Sequence, residues 1–205
     1  MAASVLSPSC PPEGAPEIQK VCVKVSLDAP GRLNPDPVLE IFARWRTEEG
    51  EELVDLADYA HLAEGPLVVL IGHRYNLAID TSGGRAGIQY CSKKGLSGSP
   101  AGRFSAVIKA GLAKARRLLA EPGFPPGVRP RPEQIEVVLN DRLSLPNDDE
   151  ADREIRPALT QAFDLLYGNA NYTLTRDPDS SRRLCYRAEA PAQNLTLDSL
   201  LARLG

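Results

Sequence analysis

Residues 51–90 carry four short apolar runs separated by turn signals, and that cadence confines the chain to folds built on a sheet of hairpin-connected strands. Residues 53–62, 66–72, 75–80 and 87–91 each have the length and apolar character of a strand. The connections between them, among them Ala63-Glu64-Gly65 and Thr81-Ser82-Gly83-Gly84, are short and place Gly where a turn needs it. A parallel crossover takes about a dozen residues or more, so these strands must run antiparallel to their neighbours.

Upstream, residues 20–27 alternate. Val21, Val23, Val25 and Leu27 point one way and Cys22, Lys24 and Ser26 the other, the pattern of a half-buried strand. Residues 38–47 place Leu39, Ile41, Phe42 and Trp45 at helical spacing, with Pro37 suited to the first turn. Residues 101–121 predict the clearest helix: Phe104, Val107, Ile108, Leu112, Ala115 and Leu119 form one stripe, while Arg103, Lys109, Lys114, Arg116 and Arg117 lie off it. Residues 134–139 read as a strand. Asn147 is placed to cap a helix, with Glu150 three residues on, and Pro157 predicts a break in that helix. The expected result is a short turn as far as Ile155, then a second stretch burying Leu159, Phe163 and Leu166 and ending at Gly168. A hairpin over residues 172–176 and 183–188 and a last helix capped by Thr196 complete the order β-α-β-β-β-β-α-β-α-β-β-α. Such an order implies an α+β class, a mostly antiparallel or mixed sheet with helices packed mainly on one face. Residues 1–17 are expected to be a disordered leader and residues 18–205 a single domain, with the Pro-rich stretch 122–132 a candidate subdomain break.

The 205 residues, 42% of them hydrophobic, suffice for an ordinary core. Lys and Arg number 24 against 27 Asp and Glu, for a net charge of -3, which argues against a specific nucleic-acid binder working by phosphate neutralisation. Cys10, Cys22, Cys91 and Cys185 form no C-x-x-C pair, so no zinc ribbon or thioredoxin-like motif is read and a reducing compartment is expected. The first 17 residues lack the basic and apolar regions of a signal peptide, and the longest apolar run is far short of the roughly 20 residues a membrane helix needs. A cytoplasmic protein with no membrane association is the expectation.

The chain contains no nucleophile elbow, phosphate loop, dinucleotide fingerprint or metal-ligand spacing. Asp55, Asp58, His61 and His73 offer oxygen and nitrogen ligands for a divalent ion. On one strand, however, Asp58 faces away from Asp55 and His61, so convergence requires a bulge or bend, and the competing role is hydrogen bonding at turns and strand ends. Lys93, Lys94, Ser97, Ser99 and Arg103, with His73, are the candidate ligand-binding set. Their loop feeds a helix N-terminus, where exposed N–H groups and the helix dipole attract anions. Asn140-Asp141-Arg142 follows directly on an apolar run, where it either meets a ligand at the strand end or closes an Asx turn with an ion pair. Arg44, Trp45 and Arg46 form a candidate interface, because Trp and Arg are enriched at binding hot spots; the same Trp can equally plug the core. Cys91 and Cys185 read as small core residues.

The segments FARWR, ELVDLADYAHL, GPLVVLIGHRYNLAID, GIQY, VVLNDRLSLPN and AFDLLYG, in that order, resemble a small family of bacterial cytoplasmic α+β proteins with no known activity. The resemblance spans residues 21–188 and implies a bacterial cytoplasmic origin, with no cofactor or catalytic residue to carry over. It also implies a His in relatives where this chain has Ala43, and so the loss here of any reaction needing it. The functional expectation is a non-catalytic binding, accessory or assembly protein without a cofactor. Its partner is a protein or a second copy, as a homodimer through an open sheet edge or the Trp45 helix. The alternative is an enzyme or sensor that binds an anionic, phosphate-bearing small molecule at residues 93–103.

Overall fold

The computed structural model describes residues 18, 20–29, 33–93, 95–142, 144–169, 171–191 and 194–205, so the leader, Cys10 and Lys94 lie outside it. Its elements are β1 (Val21–Asp28), α1 (Asp36–Glu49), β2 (Leu53–Asp58), β3 (Pro66–Gly72), β4 (Tyr75–Asp80), β5 (Gly87–Ser92), α2 (Pro100–Leu119), β6 (Arg129–Leu139), α3 (Asp149–Tyr167), β7 (Thr173–Arg176), β8 (Cys185–Glu189) and α4 (Leu197–Arg203). All eight strands join one antiparallel sheet in the order β2-β3-β4-β5-β1-β6-β8-β7. The fold is α+β, with the helices packed against the sheet.

The alternation of β1 decides the two faces. Val21, Val23 and Val25 point into the core, where α2 lies across β1 and β5. A Cβ added at Gly111 of α2 would stand 3.3 Å from Val23 Cγ1 and 3.5 Å from Tyr90 Cβ, so the bare glycine lets helix and sheet approach closely. The α1 helix packs on β2 and β3, while α3 and α4 pack against α2. The opposite residues of β1 face away from the helices. Lys24 stands opposite Gln89 on β5 and Glu136 on β6, and Glu136 stands opposite Arg187 on β8. Residues opposed in a ladder share a face, so these four form one polar row on the side without helices.

The proline-rich stretch becomes partly strand. β6 begins at Arg129, and Pro130 stands opposite Leu27 of β1. Proline lacks the N–H that a strand between two partners needs. β8 pairs only with Gln134 to Val138, however, so Pro130 and Pro132 occupy a portion of β6 with a single neighbour. Residues before and after that stretch therefore share one sheet. β2 stops at Asp58, short of residue 62, because Asp58 Oδ1 accepts the N–H of Ala60 at 2.8 Å and turns the chain. Cys22 and Cys91, directly opposed on β1 and β5, are joined in a disulfide, where Cys91 was expected to be a small core residue and the cysteines to be reduced.

α3 runs unbroken through Pro157 and is capped by Asp148 rather than Asn147. The Asp148 Oδ1 accepts from the main-chain N–H of Glu150 at 3.1 Å and of Ala151 at 2.9 Å. An interior proline costs about 3 kcal/mol. Ala151, Ile155, Leu159, Ala162, Phe163 and Leu166 are all buried on one stripe spanning the proline. Each large side chain there contributes about 1.5–3 kcal/mol, which outweighs the break. Pro157 itself is exposed. Pro157→Ala is expected to raise stability by roughly 1–2 kcal/mol, the helix gain less the loss of unfolded-chain stiffness. A urea midpoint that fell would show that the ring packs against something. No helix among the described residues is long and apolar enough to cross a membrane.

Candidate functional site

The side of the sheet without helices carries a cleft of about 280 Å³, and its floor starts from Lys24. A Cβ at Gly87 would lie 2.6 Å from both Cγ and Cε of Lys24. The missing side chain thus opens a path for the lysine stem across β5 to β4. There Nζ donates to Asp80 Oδ2 at 2.6 Å and to the Ser82 carbonyl at 3.3 Å. The two side chains are 2% and 4% exposed, so this is a buried ion pair. Asp80 also accepts from Ser82 N–H at 3.2 Å and Ser82 Oγ at 2.8 Å, which closes the turn between β4 and β5.

One strand further, Glu136 is only 8% exposed and takes Arg85 Nε at 2.8 Å and Arg187 Nε at 3.2 Å on one oxygen. The facing wall is the loop between β7 and β8. Asn147, itself buried, pins it by donating from Nδ2 to the carbonyls of Asp177 at 3.0 Å and Asp179 at 2.8 Å. Within the loop, Asp179 Oδ1 accepts from Ser181 N–H at 3.0 Å and Ser181 Oγ at 2.6 Å. Those hydrogen bonds hold the Asp179 carboxyl below its ordinary pKa. Arg183 reaches Asn140 Oδ1 at 2.9 Å, and Arg142 reaches the Ser181 carbonyl at 2.7 Å.

Arg142 and Arg183 therefore rest on neutral oxygens, and among the described residues neither has a carboxylate partner. A guanidinium has five N–H donors in a planar fork matched to a carboxylate or phosphate. Both side chains are exposed and use one nitrogen each, so most of that fork faces the cleft and solvent. Cys185 lines the same wall. Burial, reinforced by Glu136 and Asp177, pushes its thiol up to about 11, so it stays protonated and is a poor nucleophile. The arrangement can attract and orient an anion.

The strand-end segment Asn140-Asp141-Arg142 contributes directly to this wall. Asp141 Oδ1 accepts from Ser144 N–H at 3.4 Å, and Arg142 turns to the Ser181 carbonyl. The 93–103 loop is organised differently. Lys93 Nζ donates to the Gly72 carbonyl at 2.6 Å, beside His73, and Arg103 Nε donates to Gly98 at 3.1 Å within its own loop. Ser99 caps α2 by accepting from Gly102 N–H, and Ser97 is exposed. A cavity of about 430 Å³ beside the loop is floored by the stacked rings of Tyr75 and Tyr90, 5.3 Å apart. Its cations are answered locally, Lys114 by Glu49 at 3.5 Å and Arg74 by Glu52 at 3.2 Å.

Asp55, Asp58, His61 and His73 are spread along the β2 edge. Asp55 accepts from Leu56 N–H and Asp58 from Ala60 N–H. His73 lies at the Glu52 end of β2 and His61 beyond the Asp58 end. Six residues of strand separate these ends by about 20 Å, and no group of three or more potential ligands gathers among the described residues. Trp45 is fully buried, with its indole N–H on Glu121 Oε1 at 2.6 Å and the Arg117 guanidinium 3.8 Å over its ring. Arg44 joins the same Glu121 at 2.6 Å, and Arg46 is exposed.

Lys24, Arg85, Glu136, Arg182 and Arg183 carry no sequence signal as a site because they converge from separate strands and loops. The one local signal was a lysine on the polar side of β1, which has no reason to be buried without a partner. The fold and the cleft define an α+β protein with a basic groove on the uncovered face of its sheet. No protein-family model matches the chain, and no curated protein matches it as a relative.

Proposed function

We propose that this protein is a non-catalytic binding protein that receives an anionic ligand, carboxylate or phosphate, in the cleft on the open face of the sheet. The supporting observation is the pair Arg142 and Arg183, whose guanidiniums border the cleft with neutral oxygens as their partners. The wall that carries Arg183 is anchored by Asn147 and the Asp179 turn, so an arriving anion meets donors already ordered. Prior ordering lowers the entropic cost of binding.

The test is a thermal-shift titration with pyrophosphate and citrate at low ionic strength. A ligand at about 100 times its Kd adds about 2.7 kcal/mol to the folded state, a rise of roughly 5–10 °C for a domain of this size. The rise should vanish in the Arg142→Gln/Arg183→Gln double variant. No rise with either polyanion, or an equal rise in the double variant, removes the reading.

A further inference from the structure

We infer that the occupant of this groove is an extended acidic peptide segment of a partner protein, about six residues long. The inference rests on the anionic-ligand reading above and specifies its chemistry. The 280 Å³ cleft continues into a neighbouring one of about 390 Å³, the two sharing Gly83, Arg85, Asp177, Arg182 and Cys185. Together they follow one cross-strand row: Gln89, Lys24, Glu136, Arg187 and Thr175 are successive partners on β5, β1, β6, β8 and β7. Four strand spacings of about 4.8 Å give a groove of about 19 Å, the span of about six extended residues at about 3.3 Å each.

Charge decides the sign of the occupant. Seven cations line the joined groove against four carboxylates, on a chain whose net charge is -3. Arg176 and Arg182 are also answered by Asp149 at 2.6 Å and Asp179 at 3.3 Å, so the unanswered positive charge on this face rests on Arg142 and Arg183. The groove also shows the pairing it would repeat, since Arg85 and Arg187 already hold the Glu136 carboxylate between them. Its cations are strung along the row instead of converging on one point, and Asp177 and Glu136 stand among them. A compact phosphate dianion is poorly served by that spacing, whereas single carboxylates on a chain can alternate with it. No aromatic ring lines either part among the described residues. Proteins that bind single-stranded nucleic acid use such rings to stack bases, so the lining favours a peptide over a nucleic acid.

Fluorescence anisotropy with fluorescein-labelled hexaglutamate tests this directly, with labelled hexaserine and a labelled six-nucleotide oligothymidine in parallel and pyrophosphate as competitor. Hexaglutamate should bind tightest, weaken steeply as salt is added, and lose about tenfold or more in affinity in Arg142→Gln/Arg183→Gln. Lys109→Gln, exposed on α2, should leave binding unchanged. Circular dichroism of the variants confirms their fold; both arginines are exposed, so none is expected to unfold. Hexaglutamate binding no tighter than hexaserine, or unaltered in the double variant, overturns the inference. Tighter oligothymidine binding overturns it in favour of a nucleic acid. Binding of pyrophosphate alone overturns the peptide but keeps the anionic-ligand reading, and binding of none of the probes overturns both.

Discussion

Replacing Asp80 with Ala is expected to destabilise the fold by about 3–5 kcal/mol, the cost of leaving a buried charge without its partner. Lys24 reaches Asp80 at 2.6 Å, and its other acceptor is a single carbonyl, that of Ser82, at 3.3 Å. The alanine also removes both side-chain acceptors that hold Ser82 in the turn between β4 and β5. Lys24→Met/Asp80→Leu, which removes both charges and keeps the volume, should recover most of the loss. Urea denaturation of the two variants separates the cases. A loss below about 1 kcal/mol in Asp80→Ala would mean that the pair is screened like a surface ion pair, and the floor of the groove would then be wetter than its burial implies.

The architecture was largely legible because it follows from period and turn chemistry. The alternation through β1, the short turns of the β2–β5 meander and the stripe of α2 each specify an element without reference to the rest of the chain. The groove was not legible, for a geometric reason. Lys24 and Asp80 are 56 residues apart and meet only because β5 separates their strands and Gly87 leaves the path open. Glu136 and Arg187 become neighbours only when β8 pairs with β6 in the observed register. The Cys22–Cys91 disulfide was hidden in the same way, since 69 residues of sequence separate two side chains that register places face to face. Arg142 was visible as a strand-end residue. What its sequence neighbours suggested was an Asx turn with an ion pair to Asp141 or to a remote carboxylate, whereas the fold brings the Ser181 carbonyl to it from a loop 39 residues away. Pro157 shows the opposite limit: its local signal predicts a break in the helix, and the buried stripe on both sides of it overrides that signal.

Trp45→Ala should cost about 3–5 kcal/mol, the usual consequence of emptying a buried aromatic site. The indole is wholly buried against Phe42, with ring centroids 5.9 Å apart, and its far side is covered by the Arg117 guanidinium. Its N–H also makes the contact to Glu121 that, ahead of Arg44, holds the Glu121 carboxyl below its ordinary pKa. Trp45→Phe keeps much of the packing and removes that donor, so it should cost about 1.5–3 kcal/mol, the range for hydrogen bonds to charged groups. In both variants Glu121 should titrate closer to the ordinary carboxylate range, which NMR can follow. The sign of the pH effect follows from the depressed value. Folding gains from the ionised Glu121 above its unfolded pKa, and the gain is lost as pH falls through the lower folded pKa. The stability gap between the native protein and Trp45→Phe should therefore narrow in acid. A gap that stayed constant with pH would assign the whole effect of Trp45 to packing and none to its hydrogen bond.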